Sequence, residues 1–351
     1  MSQRPLVRAG DLAGFDAVVD ARSPAEFALD HIPGAVNCPV LDDEERRIVG
    51  TLYKQTGAFE ARRVGGGMVA ANLARHLDGY FGDKPASWKP LIYCWRGGLR
   101  SGSMVTWMRL VGWKAEQLTG GYKSFRRHVI DQIDAASPQL KLVVVCGATG
   151  SAKTRVLQAL EAQGAQVLDL EHLASHKGSL LGEMPGRPQP SQKGFETLLG
   201  VRLEGFDLSR TVYVEGESPR IGQINLPVEL VARMRAAPCV EVLATADARQ
   251  AYLLDDYAYL GDSPDALAAK LGKLKELQGR ENVARWQQWA HDRALAPLFA
   301  ELVSLHYDPH YERSQARHFT QWAQRDQVET ADLSAAGIEA VATQILVRTG
   351  G

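Results

Sequence analysis

The sequence of 351 residues has few cysteines, no long apolar run and almost no excess of charge. Its four cysteines lie far apart and form no CxxC pair, so neither a zinc knuckle nor a disulfide framework is indicated. No stretch is long and apolar enough to span a membrane, and no early segment has the pattern of a signal peptide. We therefore expect a cytoplasmic protein with reduced thiols and no membrane partner.

The net charge is −1, so the chain has no global basic field that would point to nucleic acid. A nucleic-acid partner could still use a local basic patch. The hydrophobic fraction of 45% and the charged fraction of 23% are ordinary for a soluble globular protein. The length suits about two domains.

Strands alternate with helices in both halves, which predicts an α/β fold with parallel sheets. In the first half, Ala17–Asp20 and Pro90–Cys94 have the apolar content of buried strands. The segment that follows Ala17–Asp20 predicts a helix with Ser23 as N-cap, a proline at the first helical position and Glu26 in a capping box. Further helices are predicted over Asp42–Thr56, Arg63–Tyr80 and Ser101–Val111.

The stretch Ser137–Gln139 has the composition of a linker. It divides the chain into a first domain, 1–136, and a second domain, 137–351. The second domain begins as another α/β unit and becomes mostly helical from about Asp247. The Pro-rich stretch Gly186–Glu196 is predicted to be a loop.

The segment YCWRGGLRS, Tyr93–Ser101, places a cysteine at the end of a predicted strand and before a predicted helix. Two glycines allow backbone N–H groups to curl around the sulfur of Cys94. Together with the helix N-terminus, Arg96 and Arg100 would favour a thiolate or an anionic group carried on it. The alternative is a buried structural cysteine before a tight turn. The other cysteines, Cys38, Cys146 and Cys239, lie inside apolar runs and are expected to pack in the core.

The segment GATGSAKT, Gly147–Thr154, lies between a predicted strand and a predicted helix, which is the context of a phosphate-binding loop. The loop departs from the usual pattern at one position, where Ala152 replaces a glycine. The alternative is a strand–turn–helix connection with incidental glycines. The candidate phosphate-binding residues are Gly147, Thr149, Gly150, Ser151, Ala152, Lys153, Thr154 and, from a later stretch, Arg220.

Acidic residues follow the strand TVYVE in the second domain. Glu215 and Glu217 could hold Mg²⁺ together with the hydroxyl of Thr154. The alternative is that either glutamate is a surface charge at a strand end. Another polar stretch carries His172, His176 and Lys177, for which a surface helix or a contact with phosphate or RNA is more plausible than metal binding.

Three segments resemble rhodanese domains: VVDARSPAEFALDHIPGAVNCP (Val18–Pro39), YCWRGGLRS and LTGGYKSF. That resemblance implies a Cys94 that carries sulfur or selenium, with Asp20, Arg22 and Glu26 as structural or entrance residues. A rhodanese-like domain followed by a phosphate-binding-loop domain resembles the tRNA 2-selenouridine synthases. The similarity is most specific at Tyr93–Ser101, Gly147–Thr154, Asp169–Ser179 and Val214–Pro227.

The resemblance implies an enzyme that geranylates the sulfur of wobble 2-thiouridine in tRNA with geranyl diphosphate. The enzyme then replaces that sulfur with selenium from selenophosphate, which implies an enzyme producing selenophosphate as a further partner. Cys94 would serve the selenium step and the phosphate-binding loop the diphosphate. The helical region offers basic and aromatic residues as weaker candidates for tRNA contacts: Lys273, Lys275, Arg280, Arg285, Trp286 and Trp289.

Two other functions stay open from the residues alone. One is a rhodanese-type sulfurtransferase with a regulatory nucleotidase domain, which strong nucleotide hydrolysis without tRNA would favour. The other is a non-catalytic RNA-binding module on decayed enzyme folds. Ala152 supports the module, whereas Cys94 with both neighbouring arginines argues against it.

Overall fold

The computed structural model describes Val7–Gly350 apart from Glu217. The chain forms two compact units. The first unit contains residues 7–132 and also Pro190–Gly200, and the second contains Ile133–Gln189 and residues 201–350. From the sequence we predicted the boundary between residues 136 and 137, with Pro190–Gly200 in the second domain.

The first unit has a four-stranded parallel sheet in the order β2-β1-β3-β4. Its strands are β1 (Ala17–Asp20), β2 (Val36–Asn37), β3 (Pro90–Tyr93) and β4 (Glu116–Gln117). Its helices are α1 (Pro24–Leu29), α2 (Asp43–Gln55), α3 (Ala58–Asp78), α4 (Leu99–Val111) and α5 (Gly121–Ala136). The predicted capping box is present at α1, where the carboxylate of Glu26 accepts from the backbone N–H of Ser23.

The boundary between the units falls within α5, and the predicted linker has a different structure. Ser137–Gln139 forms a 3₁₀ helix that continues from α5. Ser137 is buried and its hydroxyl donates to the carbonyl of Ile133 at 2.7 Å. Serine and proline are common at the first positions of a helical turn as well as in linkers, so their composition alone did not distinguish the two.

The second unit has a five-stranded parallel sheet in the order β11-β10-β5-β7-β6. Its strands are β5 (Lys141–Cys146), β6 (Gln166–Leu168), β7 (Thr211–Glu215), β10 (Cys239–Ala244) and β11 (Asp326–Thr330). A small hairpin consists of β8 (Arg220–Ile221) and β9 (Ile224–Asn225). Because β5 is central, the loop after it lies where ligands collect in open α/β sheets.

Helices flank this sheet and form a separate helical core. Those nearest the sheet are α6 (Lys153–Ala162), α7 (Leu170–Ala174), α9 (Val228–Arg235), α10 (Ala246–Asp256) and α16 (Ala335–Thr349). The remainder are α11 (Pro264–Gly272), α12 (Lys275–Gln278), α13 (Arg280–His291), α14 (Leu295–Glu301) and α15 (Asp308–His318), with a π-helical turn at Leu302–Tyr307. None of the helices within the described residues is both long enough and apolar enough to cross a membrane.

The stretch that was predicted to be a loop is partly helical. Helix α8 (Gln192–Glu204) begins in the first unit and ends in the second. Its N-terminal turns are buried at Phe195 and Thr197. The irregular segment therefore ends before Gln192 and does not continue to Glu196 as we had predicted.

Candidate active sites

Cys94 lies directly after β3, and its sulfur faces the first turn of α4. The side chain is buried, and Sγ accepts a hydrogen bond from the Ser101 hydroxyl at 3.0 Å. The Gln117 amide in turn donates to the Ser101 hydroxyl at 2.8 Å, which fixes its orientation. A hydroxyl donor and a helix N-terminus both stabilise negative charge on a sulfur atom. The arrangement suits a sulfur that reacts as an anion.

Two glycines allow the backbone to close tightly around this cysteine. Gly97 has φ +66°, and a Cβ atom there would lie 2.9 Å from the carbonyl oxygen of Leu118. A Cβ atom on Gly121 would lie 2.2 Å from the carbonyl oxygen of Cys94. The backbone N–H of Tyr122 donates to that same carbonyl at 2.8 Å. The segment LTGGY therefore packs directly on the cysteine loop, and side chains at these positions would displace it.

The two arginines of the loop have different surroundings. Arg96 is exposed, whereas Arg100 forms an ion pair with Glu26 at 2.5 Å. Burial alone would raise the pKa of Glu26, but the hydrogen bond and the charge of Arg100 outweigh it and hold that pKa below its usual value. The charge of Arg100 is therefore largely balanced by Glu26, while Arg96 keeps its charge at the entrance of the loop.

A buried ion pair lies against Tyr93, the residue before Cys94, and against Tyr122. Asp20 and Arg22 are 0% and 1% exposed, and the Arg22 guanidinium donates to Asp20 through Nε and Nη2, with a shortest distance of 2.6 Å. The guanidinium carbon also lies 3.9 Å from the centre of the Tyr122 ring. The structure thus favours the structural role for both residues.

Replacing Asp20 with asparagine should destabilise the protein by about 3–5 kcal/mol, because the Arg22 charge would stay buried without its partner. Unfolding in urea, followed by circular dichroism, measures this loss. Asp83→Asn is the matched control, since it breaks an exposed ion pair with Lys84 and should hardly shift the midpoint. Equal small shifts for both variants would contradict the structural role of the buried pair.

The segment Pro190–Gly200 belongs to the first unit and lies close to the cysteine loop. The Arg126 guanidinium forms an ion pair with Glu196 and donates to the Thr197 hydroxyl at 3.0 Å. The Lys193 ammonium lies 5.4 Å from the centre of the Trp95 ring, one residue after the cysteine. No local sequence pattern indicates these contacts, because the partners are about 70 to 100 residues apart.

The loop GATGSAKT connects β5 to α6, as the sequence predicted. The Lys153 ammonium donates to the carbonyl of Gly147 at 3.0 Å, and the Ser151 hydroxyl donates to the carbonyl of Ala148 at 2.7 Å. Ala152 adopts φ +57°, which is the left-handed conformation that favours glycine. The loop therefore keeps a glycine-like backbone at Ala152 despite the added methyl group.

Ala152→Gly should leave stability within about 1 kcal/mol of the parent. Relief of left-handed strain and the greater freedom of glycine in the unfolded chain roughly offset each other. Ala152→Val should be clearly destabilising, because a β-branched residue rarely adopts this conformation and the site is buried. Thermal unfolding of both variants provides the measurement. If glycine proved as damaging as valine, the left-handed backbone at this position would be wrong.

Two carboxylates lie at the end of this loop. The Thr154 hydroxyl donates to Glu171 Oε2 at 2.9 Å, and the backbone N–H of Glu171 donates to Glu215 Oε1 at 2.7 Å. Glu171 was not singled out from the sequence, although it lies in the polar stretch that was. Glu217 lies outside the described residues.

The donor set around Thr154 consists of hard oxygen atoms. Within the part of the chain that the structure describes, no group of three or more His, Cys, Asp or Glu side chains is arranged to hold a metal ion. Mg²⁺ usually binds one or two carboxylates together with ligand phosphates and water, so it does not need such a group. Thr154, Glu171 and Glu215 offer hard oxygen donors of the kind that Mg²⁺ prefers, with Glu215 joined to the other two through the backbone N–H of Glu171.

A cavity of about 650 Å³ adjoins the phosphate-binding loop. Its volume is in the range of sites for small organic ligands and exceeds the needs of a phosphate alone. Burial raises the pKa of Tyr307 to about 12, so this phenol stays neutral at physiological pH. Aromatic side chains form much of the wall: Tyr252, Tyr257, Tyr307, Tyr311 and Phe319.

The basic residues near the loop and the cavity are only partly those that the sequence indicated. Arg220 does not line this cavity; it is exposed and donates to the carbonyl of Gly222 at 2.9 Å. Arg249, which the sequence did not indicate, donates to the carbonyl of Thr149 at 2.8 Å. Lys177 does line the cavity and pairs with Asp256 at 2.8 Å.

The candidate tRNA contacts in the helical region separate into two groups. Trp286 is fully buried in the helical core, and its indole N–H donates to Glu301 Oε2 at 2.9 Å. Arg285 pairs with the same carboxylate and lies over the ring of Trp289. Trp286 is therefore a packing residue. The exposed candidates are Lys273, Lys275 and Arg280.

The fold is that of a rhodanese-like domain joined to a second α/β domain that carries a glycine-rich loop after its central strand. The family model described as a rhodanese-like domain matches residues 6–128. The model described as the tRNA 2-selenouridine synthase AAA domain matches residues 140–279.

Similar proteins extend this likeness over most of the chain. A tRNA 2-selenouridine synthase of Alcanivorax borkumensis is 32% identical over 338 residues, which cover 86% of this chain and 90% of that protein. A tRNA 2-selenouridine synthase of Aeromonas salmonicida is 36% identical over 345 residues and covers 89% and 91% of the two chains. The chain belongs to the tRNA 2-selenouridine synthase family.

Proposed function

We propose that this protein converts wobble 2-thiouridine in tRNA to 2-selenouridine in two steps, with S-geranyl-2-thiouridine as the intermediate. The observation that carries the proposal is the pairing, in one chain, of two kinds of site. One is a buried sulfur held by a hydroxyl donor at a helix N-terminus. The other is a phosphate-binding loop that opens into an aromatic-walled cavity large enough for an organic diphosphate.

The first step is alkylation of the thiocarbonyl sulfur by geranyl diphosphate. The sulfur forms a bond to C1 of the geranyl group, the C1–O bond breaks, diphosphate leaves, and the N3 proton of the base is released. Lys153 and the N–H groups of the loop stabilise the charge that develops on the leaving diphosphate. The aromatic and aliphatic wall, including Tyr252, Leu253 and Met234, suits an apolar prenyl chain.

The second step replaces the alkylated sulfur with selenium. A thiocarbonyl sulfur is a poor leaving group, whereas the alkylated sulfur departs as geranyl thiol when the Cys94 sulfur adds to C2. The selenium atom of selenophosphate then forms the C2–Se bond as the C2–S bond to Cys94 breaks. Water cleaves the Se–P bond and releases phosphate, so selenium stays at the selenide level throughout. Arg96 at the loop entrance favours an anionic donor, and the Ser101 hydroxyl stabilises the sulfur of Cys94.

We further infer that Mg²⁺ assists the first step. Thr154, Glu171 and Glu215 would hold it, and its charge would neutralise the departing diphosphate. An enzyme that produces selenophosphate is the expected supplier of the second step, and the cytoplasm, where tRNA is modified, is the expected location.

The purified protein tests this proposal directly. Incubated with the protein and geranyl diphosphate, an RNA that carries 2-thiouridine should first gain the mass of a geranyl group. After selenophosphate is added, the modified nucleoside should become 2-selenouridine. Nucleoside mass spectrometry follows both changes. A protein that instead transfers sulfur from thiosulfate and hydrolyses nucleotide without tRNA would be a rhodanese-type sulfurtransferase with a regulatory nucleotidase domain.

A further inference from the structure

One wall of the cavity in the second unit is a polar face of helix α15. This helix follows residues 140–279, which the AAA-domain family model matches. Its residues at positions 310, 314, 315 and 318 lie on one side of the helix, as their spacing requires. The polar residues of α15 on the cavity wall are His310, Ser314, Gln315 and His318. Neither of the two arginines of α15, Arg313 and Arg317, lines the cavity, so this face presents no guanidinium group.

Helix α15 is held at a fixed place relative to the phosphate-binding loop. Arg249 donates to both carboxylate oxygens of Asp308, at 3.0 and 2.6 Å, and its Nε donates to the carbonyl of Thr149. The first residue of α15 is thereby tied to the loop. Gln315 lies seven residues further on, about 10 Å along the helix axis at 1.5 Å per residue. A ligand anchored by its phosphates at the loop could extend along this face.

Gln315 is the distinctive residue of this face. Its side chain is 7% exposed, and its Oε1 atom is buried and accepts no hydrogen bond among the described residues. Buried polar groups in folded proteins nearly always have partners, because an unpaired one destabilises the protein. An amide that lines a ligand cavity and lacks a donor indicates that a ligand supplies that donor.

We propose that this face of α15 binds the pyrimidine base of the tRNA substrate and that Gln315 pairs with its N3 position. The proposal rests on the proposed function, which brings a 2-thiouracil ring to this cavity. A polar face without lysine or arginine suits an uncharged base better than a phosphate. The 2-thiouracil ring presents an N3–H donor beside its O4 acceptor, and a glutamine amide can pair with both.

Glutamine also suits the chemistry of the reaction. In 2-thiouridine, N3 carries a proton and donates to the amide oxygen. After S-alkylation N3 has lost that proton and becomes an acceptor, with which the amide nitrogen can pair once the amide has rotated. Neither a carboxylate nor an ammonium group could pair with both forms in this way. Gln315 is therefore a base-recognition residue that can pair with the ring both before and after alkylation.

The test compares two anticodon stem-loop RNAs, one with 2-thiouridine and one with N3-methyl-2-thiouridine at the wobble position. Equilibrium binding is measured by fluorescence anisotropy on the full-length protein. The wild type should bind the methylated RNA roughly tenfold or more weakly, because one buried hydrogen bond is lost. In Gln315→Met the affinity for 2-thiouridine should fall by a similar factor, and the methylation penalty should nearly disappear.

Two controls separate recognition from folding. Gln315→Met should unfold at the same or a higher temperature, since an apolar side chain of similar length removes an unpaired acceptor. Gln324→Met, at an exposed glutamine outside the cavity, should keep the full methylation penalty.

A methylation penalty that persists unchanged in Gln315→Met would overturn this inference, and so would equal binding of the two RNAs by the wild type. In either case conversion of the 2-thiouridine RNA by the wild type would leave the proposed function standing. A wild type that neither binds nor converts that RNA would refute the proposed function, and the inference with it.

Discussion

Replacing Cys94 with alanine should abolish the formation of 2-selenouridine while tRNA binding stays nearly unchanged. The sulfur is the nucleophile that displaces geranyl thiol from C2 before selenium attacks, and no other cysteine of the first unit can take its place. Cys38, the other thiol there, is buried, and its burial and the nearby charge of Asp20 raise its pKa to about 12. It therefore stays protonated and inert. Nucleoside mass spectrometry after incubation with selenophosphate measures the loss.

Cys38→Ala serves as the matched control for this experiment. It removes a core thiol and should lower stability slightly, but selenation should continue. Cys94→Ala should still produce S-geranyl-2-thiouridine, which then accumulates. Normal levels of selenouridine in Cys94→Ala would remove this residue from the mechanism.

The second large effect is expected at Lys153. Lys153→Ala should slow geranylation by about 10²–10³-fold, because one cationic contact to the leaving diphosphate is lost. Rates of geranyl incorporation into the 2-thiouridine RNA measure the change. Lys141→Ala is the control, since that lysine begins β5, at the end of the strand away from the loop, and donates to the carbonyl of Ser209, so it should be dispensable.

An RNA that already carries the geranyl group distinguishes the two sites further. With this RNA and selenophosphate, the Lys153 variant should recover at least part of its selenation, whereas the Cys94 variant should not. If both folded variants lost both steps while still binding tRNA, the division of the reaction between two sites would be wrong.

Local sequence signals predicted much of the fold. The cap at Ser23 and Glu26, the strand Ala17–Asp20 and the strand–loop–helix around Lys153 depend on residues within a few positions of one another, and all three are present. Helix α4 begins two residues before the predicted Ser101, because the glycine at position 98 serves as its N-cap. Neighbouring residues alone determine such local structures, so the sequence is enough to predict them.

Contacts over long sequence separations were not predictable in the same way. Arg249 joins Thr149 and Asp308, residues 100 and 59 positions away, and no local pattern marks it. Glu171 approaches Thr154 only because β5 and β6 lie in the same sheet. Trp286 shows the opposite error: a tryptophan on a charged helix suggested an RNA contact, but the helix turns that side chain into the core.

The most direct test of the account is the wobble nucleoside in tRNA from cells with and without this protein. Mass spectrometry should find 2-selenouridine only when the protein is present, and 2-thiouridine should remain when it is absent. Cells that express Cys94→Ala should accumulate S-geranyl-2-thiouridine in place of the selenium product. Unchanged 2-selenouridine in cells without the protein would contradict the account, as would a loss of 2-thiouridine itself.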